Sequence, residues 1–400
     1  MSQTRQPFPD LVRACALFGI AVVNVEWSAH PAQDLVSGGA WSTSADRVLW
    51  WAMATAFMYK SYSLFAMLFG AGMAQQMQAA DADGAGFTGR YARRLAGLLA
   101  LGLLNAAFLF SGDILVMYAL LGALLFLFRR TGAVALRRWA VGLYLLQIAL
   151  TAVLVATVGA MSEADGGAEL RKTLAEMAEE SAKTDAGYSL PGFLAVAAYR
   201  FDEWANFFWR SMAFAGPGTL AFILYGLYAA RTGMFDDLDA PRWSRARRVW
   251  LPIGLLLAGS GAWIMLQSDH ELDAKVYIGL TLVTIGSPFS TMGYLGLIAA
   301  WMQRPASSLR AFLARAGGGS LTAYLLQGLL MSWVFCGYGL GWVGKTGAAT
   351  YLPVGAAAAV VSLLFVGWWR GRYRLGPVEA LLRRWVYLGG RSAASQGPTL

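Results

Sequence analysis

Long uncharged apolar runs alternate with short basic or acidic stretches along the whole chain. Two of these runs, Leu95–Phe110 and Ile114–Phe128, are separated only by Ser111-Gly112-Asp113. Each falls somewhat short of the ~20 residues that span a bilayer, so the turn between them is expected near a membrane surface. Arg90, Arg93 and Arg94 precede the pair, and Arg129 and Arg130 follow it. Basic residues concentrate on the cytoplasmic side, so the pattern predicts a helical hairpin with both ends inside. Asp113 then sits at its outward tip. It is either a helix cap in an ordinary turn or a functional carboxylate at membrane depth.

The remaining runs fall into place around that hairpin. Leu11–Trp27 reads as an uncleaved first span with its N-terminus inside, because Asn24 and Glu26 interrupt what would otherwise resemble a signal peptide. His30 to Ser44 reads as a polar outer loop. Asp46 to Met77 is longer than one span needs; Trp50 and Trp51 suggest an interfacial entry into a helix that runs inward. Lys60 would lie in the outer part of that helix, with Gly70 and Gly72 below it suited to close helix packing. Gln78 to Gly89 is a short inner loop.

After the hairpin, a span opens at Arg137 and Arg138 and ends near Met161. Residues 162–188 form an acidic extracytoplasmic segment in which Leu170, Leu174 and Met177 recur at helical spacing. Pro191 to Arg210 reads as an amphipathic interfacial helix carrying Arg200, Asp202 and Glu203, ahead of a span from Met212 to Arg231. Further spans are expected at Val249–Gln267, Val276–Met302, Leu321–Val334 and Leu352–Trp369. Leu375 to Tyr387 predicts a short cytoplasmic amphipathic helix, followed by a tail to residue 400. The expectation is an all-α integral membrane protein of about ten transmembrane helices, N-in and C-in, with interfacial helices. Residues 1–400 form a single membrane domain.

Composition agrees with that class. Apolar residues make up 57% of 400, charged residues 14%, and mean hydropathy is +0.49, which excludes an ordinary soluble enzyme. The net charge of +9 does not point to nucleic acid, because it is distributed over the loops. The segments assigned to the inside hold 23 of the 32 basic residues and 7 of the 23 acidic ones. Shifting the topology by one span would invert this asymmetry. Cys15 and Cys336 both fall in apolar runs and offer neither a disulfide framework nor a metal-ligand cluster, and the spacing of the two histidines, His30 and His270, does not resemble a zinc site. No GxxxxGK[ST] loop is present, so an ATP-driven pump is not indicated.

Ionisable groups at membrane depth are costly and rare, and each calls for a named partner. Glu26, Lys60 and Asp113 fall at similar depth toward the outer side, with Asn24 and Asn105 slightly deeper. Lys60 between two carboxylates is either a structural ion pair or part of a polar pocket opening outward. Asp10 and Arg13, three apart at the inner end of the first helix, form either a local pair or a phosphate-binding fork. Thr322, Tyr324 and Gln327 add hydrogen-bonding groups to the ninth span.

The segments PDLVRACALFGIAVVN at 9–24, KSYSLFAMLFGAG at 60–72, SGDILVMYALLG at 111–122, SLTAYLLQ at 320–327 and LGPVEALLRRWVYLG at 375–389 occur in one order over nearly the whole chain. In this the chain resembles the YeiB-like family of bacterial inner-membrane proteins, domain of unknown function 418. That family is similar in turn to the transmembrane acyltransferases. The resemblance implies a cytoplasmic acyl-CoA donor, with acetyl-CoA the candidate, used as a co-substrate with no permanently bound cofactor. It places Asp10 and Arg13 at the donor end, Asn24 in the passage, and Lys60 and Asp113 in the polar set. Ala14 stands where the usual glycine follows the arginine, and Asn105 where a histidine is common.

The reading is therefore a membrane acyltransferase-like protein acting on a lipid, sugar or secondary-metabolite acceptor. Asp113, His30 and Glu26 are the candidate proton-handling groups, and Asp113 is preferred. Arg13, Asp10, Asn24, Lys60, Asn105, Tyr324 and Gln327 are the candidate binding residues. Expected partners are membrane lipid and a small acceptor or cargo, with a homo-oligomer compatible and no nucleic acid. A carrier or exporter of a small amphipathic molecule, and a non-catalytic membrane partner protein, are the alternatives.

Overall fold

In the computed structural model the described residues, 7–31, 39–82, 86–163 and 167–388, form an all-helical bundle with no strand among them. The first five helices are α1 (Pro7–Ala29), α2 (Ser44–Ala56), α3 (Lys60–Ala82), α4 (Phe87–Phe108) and α5 (Leu115–Leu127). Then come α6 (Ala133–Glu163), α7 (Ala168–Tyr188), α8 (Phe193–Arg231) and the short α9 (Pro241–Arg245), which continues through a π-turn into α10 (Leu251–Met265). The chain closes with α11 (Ala274–Met302), α12 (Ser308–Gly317), α13 (Ser320–Phe335), α14 (Ala348–Arg372) and α15 (Pro377–Val386). Residues 32–38 of the expected outer loop, 83–85 of the loop before α4, 164–166 of the acidic segment and the tail after residue 388 lie outside the described residues.

Among the described residues, six helices are long and apolar enough to cross a membrane: α1, α6, α8, the Pro241–Met265 run, α11 and α14. α13 is apolar but shorter. The hairpin falls outside this set because α5 has 13 residues, only about 20 Å of helix, and α4 carries three arginines near its start.

α1 is the post around which the bundle is built. It packs against α3, α12, α13 and α14, and Leu11, Leu17, Ala21 and Val25 on it are wholly buried. Close approach needs small residues at the crossings. A Cβ at Gly317 would lie 1.8 Å from Asp10 O, so α12 can touch α1 only with glycine there. The α3–α8 crossing is as tight: a Cβ at Gly70 would sit 1.8 Å from Ile223 O, and one at Gly226 the same distance from Met67 O. Gly72, expected to share this role, meets only Gln76 Nε2, at 4.0 Å.

The region Asp46–Met77 divides into an entry helix, α2, and the longer α3 that follows it. The break falls at Tyr59, a non-glycine residue in the left-handed region with φ of 63°, a conformation that persists only where surrounding structure enforces it. Trp50, expected at an interface, is fully buried, whereas Trp51 is partly exposed. The segment Pro191–Arg210 is likewise not a separate interfacial helix. It runs on into the next span as one 39-residue helix. Pro217 interrupts the backbone ladder within it, and Gln147 Oε1 of α6 accepts the N–H of Gly218 at 3.1 Å. The acidic segment is largely the helix α7, whose Glu176, Glu179 and Glu180 face outward.

Asp46 ties three pieces together. Its carboxylate accepts from Thr43 N (2.9 Å), Thr43 Oγ1 (2.6 Å), Ser42 Oγ (3.2 Å) and, across the bundle, Ala349 N at the start of α14 (2.8 Å). Burial opposes its ionisation, but the hydrogen bonds from Thr43, Ala349 and Ser42 prevail and hold its pKa below the ordinary aspartate value. A depressed pKa contributes stability that is complete above the usual carboxylate range and is lost as pH falls through the depressed value. The melting temperatures of wild type and Asp46→Ala should therefore converge on acidification; a gap that stays constant from neutral to acid pH would contradict this.

Gly226→Ala should destabilise the bundle by about 1–3 kcal/mol through overpacking, and Gly72→Ala should leave it unchanged. Thermal melting of both variants in detergent checks the pair.

Candidate functional site

α1 presents different polar groups on different faces, and the structure sorts the expected cluster accordingly. On one face, Asn24 lines a small cavity of about 10 Å³ together with Asn105, Phe110, Tyr324, Gln327, Gly328 and Met331. This cavity lies between α1, α13 and the hairpin. Asn105 is fully buried, and its Nδ2 donates to Asp113 Oδ1 at 2.8 Å. Gln327 Nε2 is spent on Leu17 O (3.3 Å) and Ser362 Oγ (3.1 Å). Tyr324 Oη accepts the N–H of Ile114 at 3.3 Å. That leaves Asn105 Oδ1 and Gln327 Oε1 buried without a hydrogen-bond partner. Buried acceptors of this kind are uncommon and call for a donor.

A second cavity, of about 10 Å³, lies further along the same face. Trp27 and Ser28 of α1 line it, with Ser111 of the hairpin turn, Arg200 of α8, and Ser332 and Cys336 at the end of α13. Phe110 lines both cavities. Ser28 is one helical turn beyond Asn24, about 6 Å. The result is a polar column along one face of α1.

At the opposite end of α1, Arg13 is paired with Asp10. Arg13 lies about 16 Å from Asn24 along the axis. Arg94 of α4 is its neighbour within electrostatic range. The Arg94 guanidinium lies 5.1 Å from the centroid of the Phe69 ring, and its Nη1 is buried without a hydrogen-bond partner. Two guanidiniums thus face one region, which suits phosphate groups.

Glu26, His30 and Lys60 are not part of the column. Glu26 is buried and accepts hydrogen bonds from Trp50 Nε1 and, at 3.5 Å, from Tyr351 Oη. His30 is fully buried rather than solvated: its Nε2 lies 2.8 Å from Thr346 O, and its ring packs edge-on to Tyr351. Lys60 is fully buried too, yet forms no ion pair with Asp113 or Glu26 among the described residues. Its Nζ donates to Ala54 O at 2.9 Å instead. An ammonium suits the partial negative charge at a helix C-terminus, so Lys60 closes the end of α2. The single outward pocket expected from Glu26, Lys60 and Asp113 is in fact three separate places.

A family model described as protein of unknown function (DUF418) matches residues 229–389. The uncharacterized protein YxaH of Bacillus subtilis (strain 168) is 28% identical over 410 residues, covering 97% of this chain and 95% of YxaH. The uncharacterized protein YeiB of Escherichia coli (strain K12) is 24% identical over 381 residues, covering 94% of each chain. The chain is thus similar to YxaH and YeiB over nearly its whole length, and its residues 229–389 match the DUF418 model. No solved structure matches it.

Two segments that carry this YeiB-like resemblance are helix caps. Asp113 of the GDIL segment accepts the N–H of Val116 at 2.8 Å and so closes the start of α5. Glu379 of the GPVE segment accepts from Leu321 N (2.7 Å), Thr322 N (3.1 Å) and Thr322 Oγ1 (2.6 Å), closing the start of α13. Both caps hold walls of the first cavity.

Sequence reasoning did not place Arg200, Arg94, Phe110, Ser332 or Glu379 in a site. A signal for Arg200 exists. Val196, Trp204 and Phe208 sit four and eight residues from it on one helical face, and all are buried; an arginine on that stripe is carried inward. Glu379 gave no comparable signal, because its partners are 57 and 58 residues away.

Asp113→Ala should destabilise the protein by about 1–3 kcal/mol, the range for leaving buried hydrogen-bond donors without their partner. Glu379→Ala should cost about 1 kcal/mol as a lost cap, and Glu379→Gln less, since it keeps one acceptor oxygen. Melting of the three variants tests both assignments, and a wild-type melting temperature in Asp113→Ala would remove the capping role.

Proposed function

We propose that this protein is a membrane-embedded acyltransferase of a bacterial inner membrane, with ten spans and both termini in the cytoplasm. It would move an acyl group from a cytoplasmic acyl-CoA to a hydroxyl- or amine-bearing acceptor. The observation that carries this reading is the pair of unsatisfied buried acceptors, Asn105 Oδ1 and Gln327 Oε1, in the wall of the first cavity. They call for a donor such as a hydroxyl or amine, which is the group an acyl acceptor presents. Arg13 and Arg94 at the other end of α1 supply the positive charge that a coenzyme A phosphate requires.

In this reading Asp113 acts mainly by position. One of its oxygens is held by Val116 N and the other by Asn105 Nδ2. It fixes Asn105 so that Oδ1 faces the cavity. Lys60 and Glu26 keep α2 and α1 in place rather than touching the reacting groups.

A second reading, carriage of a small polar molecule, has its own support. The first cavity is small, at about 10 Å³, roughly the room one water needs, and none of the residues lining it is a histidine or carboxylate. A carrier needs no general base. Equilibrium binding of acetyl-CoA to purified protein separates the two. The enzyme reading expects saturable binding in wild type, at least tenfold weaker in Arg13→Ala and in Arg94→Ala, with melting temperatures close to wild type. No binding to wild type would favour the carrier.

A further inference from the structure

Arg200 is 1% exposed, a guanidinium in the interior of the bundle. Its Nη2 donates to Ser332 Oγ at 3.0 Å and to Cys336 Sγ at 2.9 Å. Its Nε and Nη1 are buried with no hydrogen-bond partner. It forms no ion pair with any described carboxylate. Glu203 lies within electrostatic range of the guanidinium but accepts the hydroxyl of Tyr188 at 2.5 Å instead of pairing with the fork, and the guanidinium sits 5.4 Å from the Tyr188 ring centroid. Tyr338, which shares Ser332 Oγ, also faces the group. The charge is thus held by neutral hydroxyls, a thiol and an aromatic face, with two fork donors left over.

Burying a charge is strongly unfavourable unless an opposite charge accompanies it. Arg200 forms part of the wall of the second cavity, whose other residues include Ser28 and Ser111. Both serines are only half-buried, so they mark its mouth, while the guanidinium lies at its deep end. The planar fork of arginine matches the two oxygens of a carboxylate or phosphate.

We propose that the second cavity is an oxyanion-binding site: a single carboxylate or phosphate group of a small molecule enters past Ser28 and Ser111 and is held by Nε and Nη1 of Arg200. The site goes beyond the acyl-transfer reading and does not depend on it, since an acceptor and a transported solute could equally carry such a group. Its neighbourhood also sets the order of contacts, with the anion at Arg200 and any hydroxyl or amine of the same molecule directed past Phe110 toward Asn105 and Gln327.

The test is equilibrium dialysis of the full-length protein, purified in detergent in a chloride buffer, against radiolabelled inorganic phosphate and, separately, radiolabelled acetate. Wild type should bind at least one of the two saturably, at one per chain; which one binds identifies the group as phosphate or carboxylate. Arg200→Lys, which keeps the charge but loses the fork, should bind at least tenfold more weakly. Arg200→Met should not bind, and should melt at or above the wild-type temperature because a buried guanidinium without a direct carboxylate partner is gone. Ser28→Phe, which fills the mouth and leaves Arg200 intact, should also lose at least tenfold in affinity and serves if the Arg200 variants do not fold. Absence of saturable binding of both anions to wild type overturns the proposal, as does wild-type affinity in Arg200→Met or Ser28→Phe.

Discussion

Every polar side chain that α1 carries into the bundle has to find its partner inside the protein, because the hydrocarbon around the bundle offers none. This constraint divides α1 into faces with different fates. The Glu26 and His30 face is closed by Trp50, Tyr351 and Thr346. The Asn24 and Ser28 face opens on two cavities in which acceptors and donors remain unsatisfied. A helix that is sealed on one side and incompletely paired on the other is arranged to hold something on the second side. Satisfying the first face is what makes the second possible, since it fixes the rotation of α1 about its own axis.

The same logic explains why charged residues in this bundle act as caps. Lys60 closes the end of α2, Asp113 the start of α5, Glu379 the start of α13, and Asp46 the starts of both α2 and α14. Helix ends leave backbone groups unpaired, and those buried in the bundle cannot turn to water for partners. Short helices bear this burden most, because their ends lie within the bundle. α5 and α13, at 13 and 16 residues, are the short apolar helices that wall the first cavity or brace its wall.

Much of this was legible in the sequence. The membrane class, the hairpin with Asp113 at its turn, the Asp10–Arg13 pair, the glycine crossing at Gly70 and the terminal amphipathic helix all follow from spacing and charge. Hydropathy reports depth along a helix, and on that scale Glu26, Lys60 and Asp113 are neighbours. It says nothing of rotation about the axis or of which helices adjoin, so their separation into three places was not legible. Lys60 was further displaced by the break at Tyr59, which no glycine or proline announces. Arg200 was hidden by its neighbours Asp202 and Glu203, which made a buried stretch of α8 resemble an interfacial helix. Its place on the Val196–Trp204–Phe208 stripe was readable only by tracking four-residue steps.

The account turns on the claim that the Asn24 and Ser28 face of α1 is the working face and the opposite face is sealed. Cysteine accessibility along α1 tests this most directly. With Cys15 and Cys336 replaced by alanine, single cysteines at Asn24→Cys, Ser28→Cys and Ala29→Cys are treated in intact membranes with a small charged methanethiosulfonate. The prediction is fast reaction at position 28, slower but measurable reaction at 24, and none at 29, where Ala29 is wholly buried. Reaction at 29 as fast as at 28, or no reaction at either 24 or 28, would contradict it.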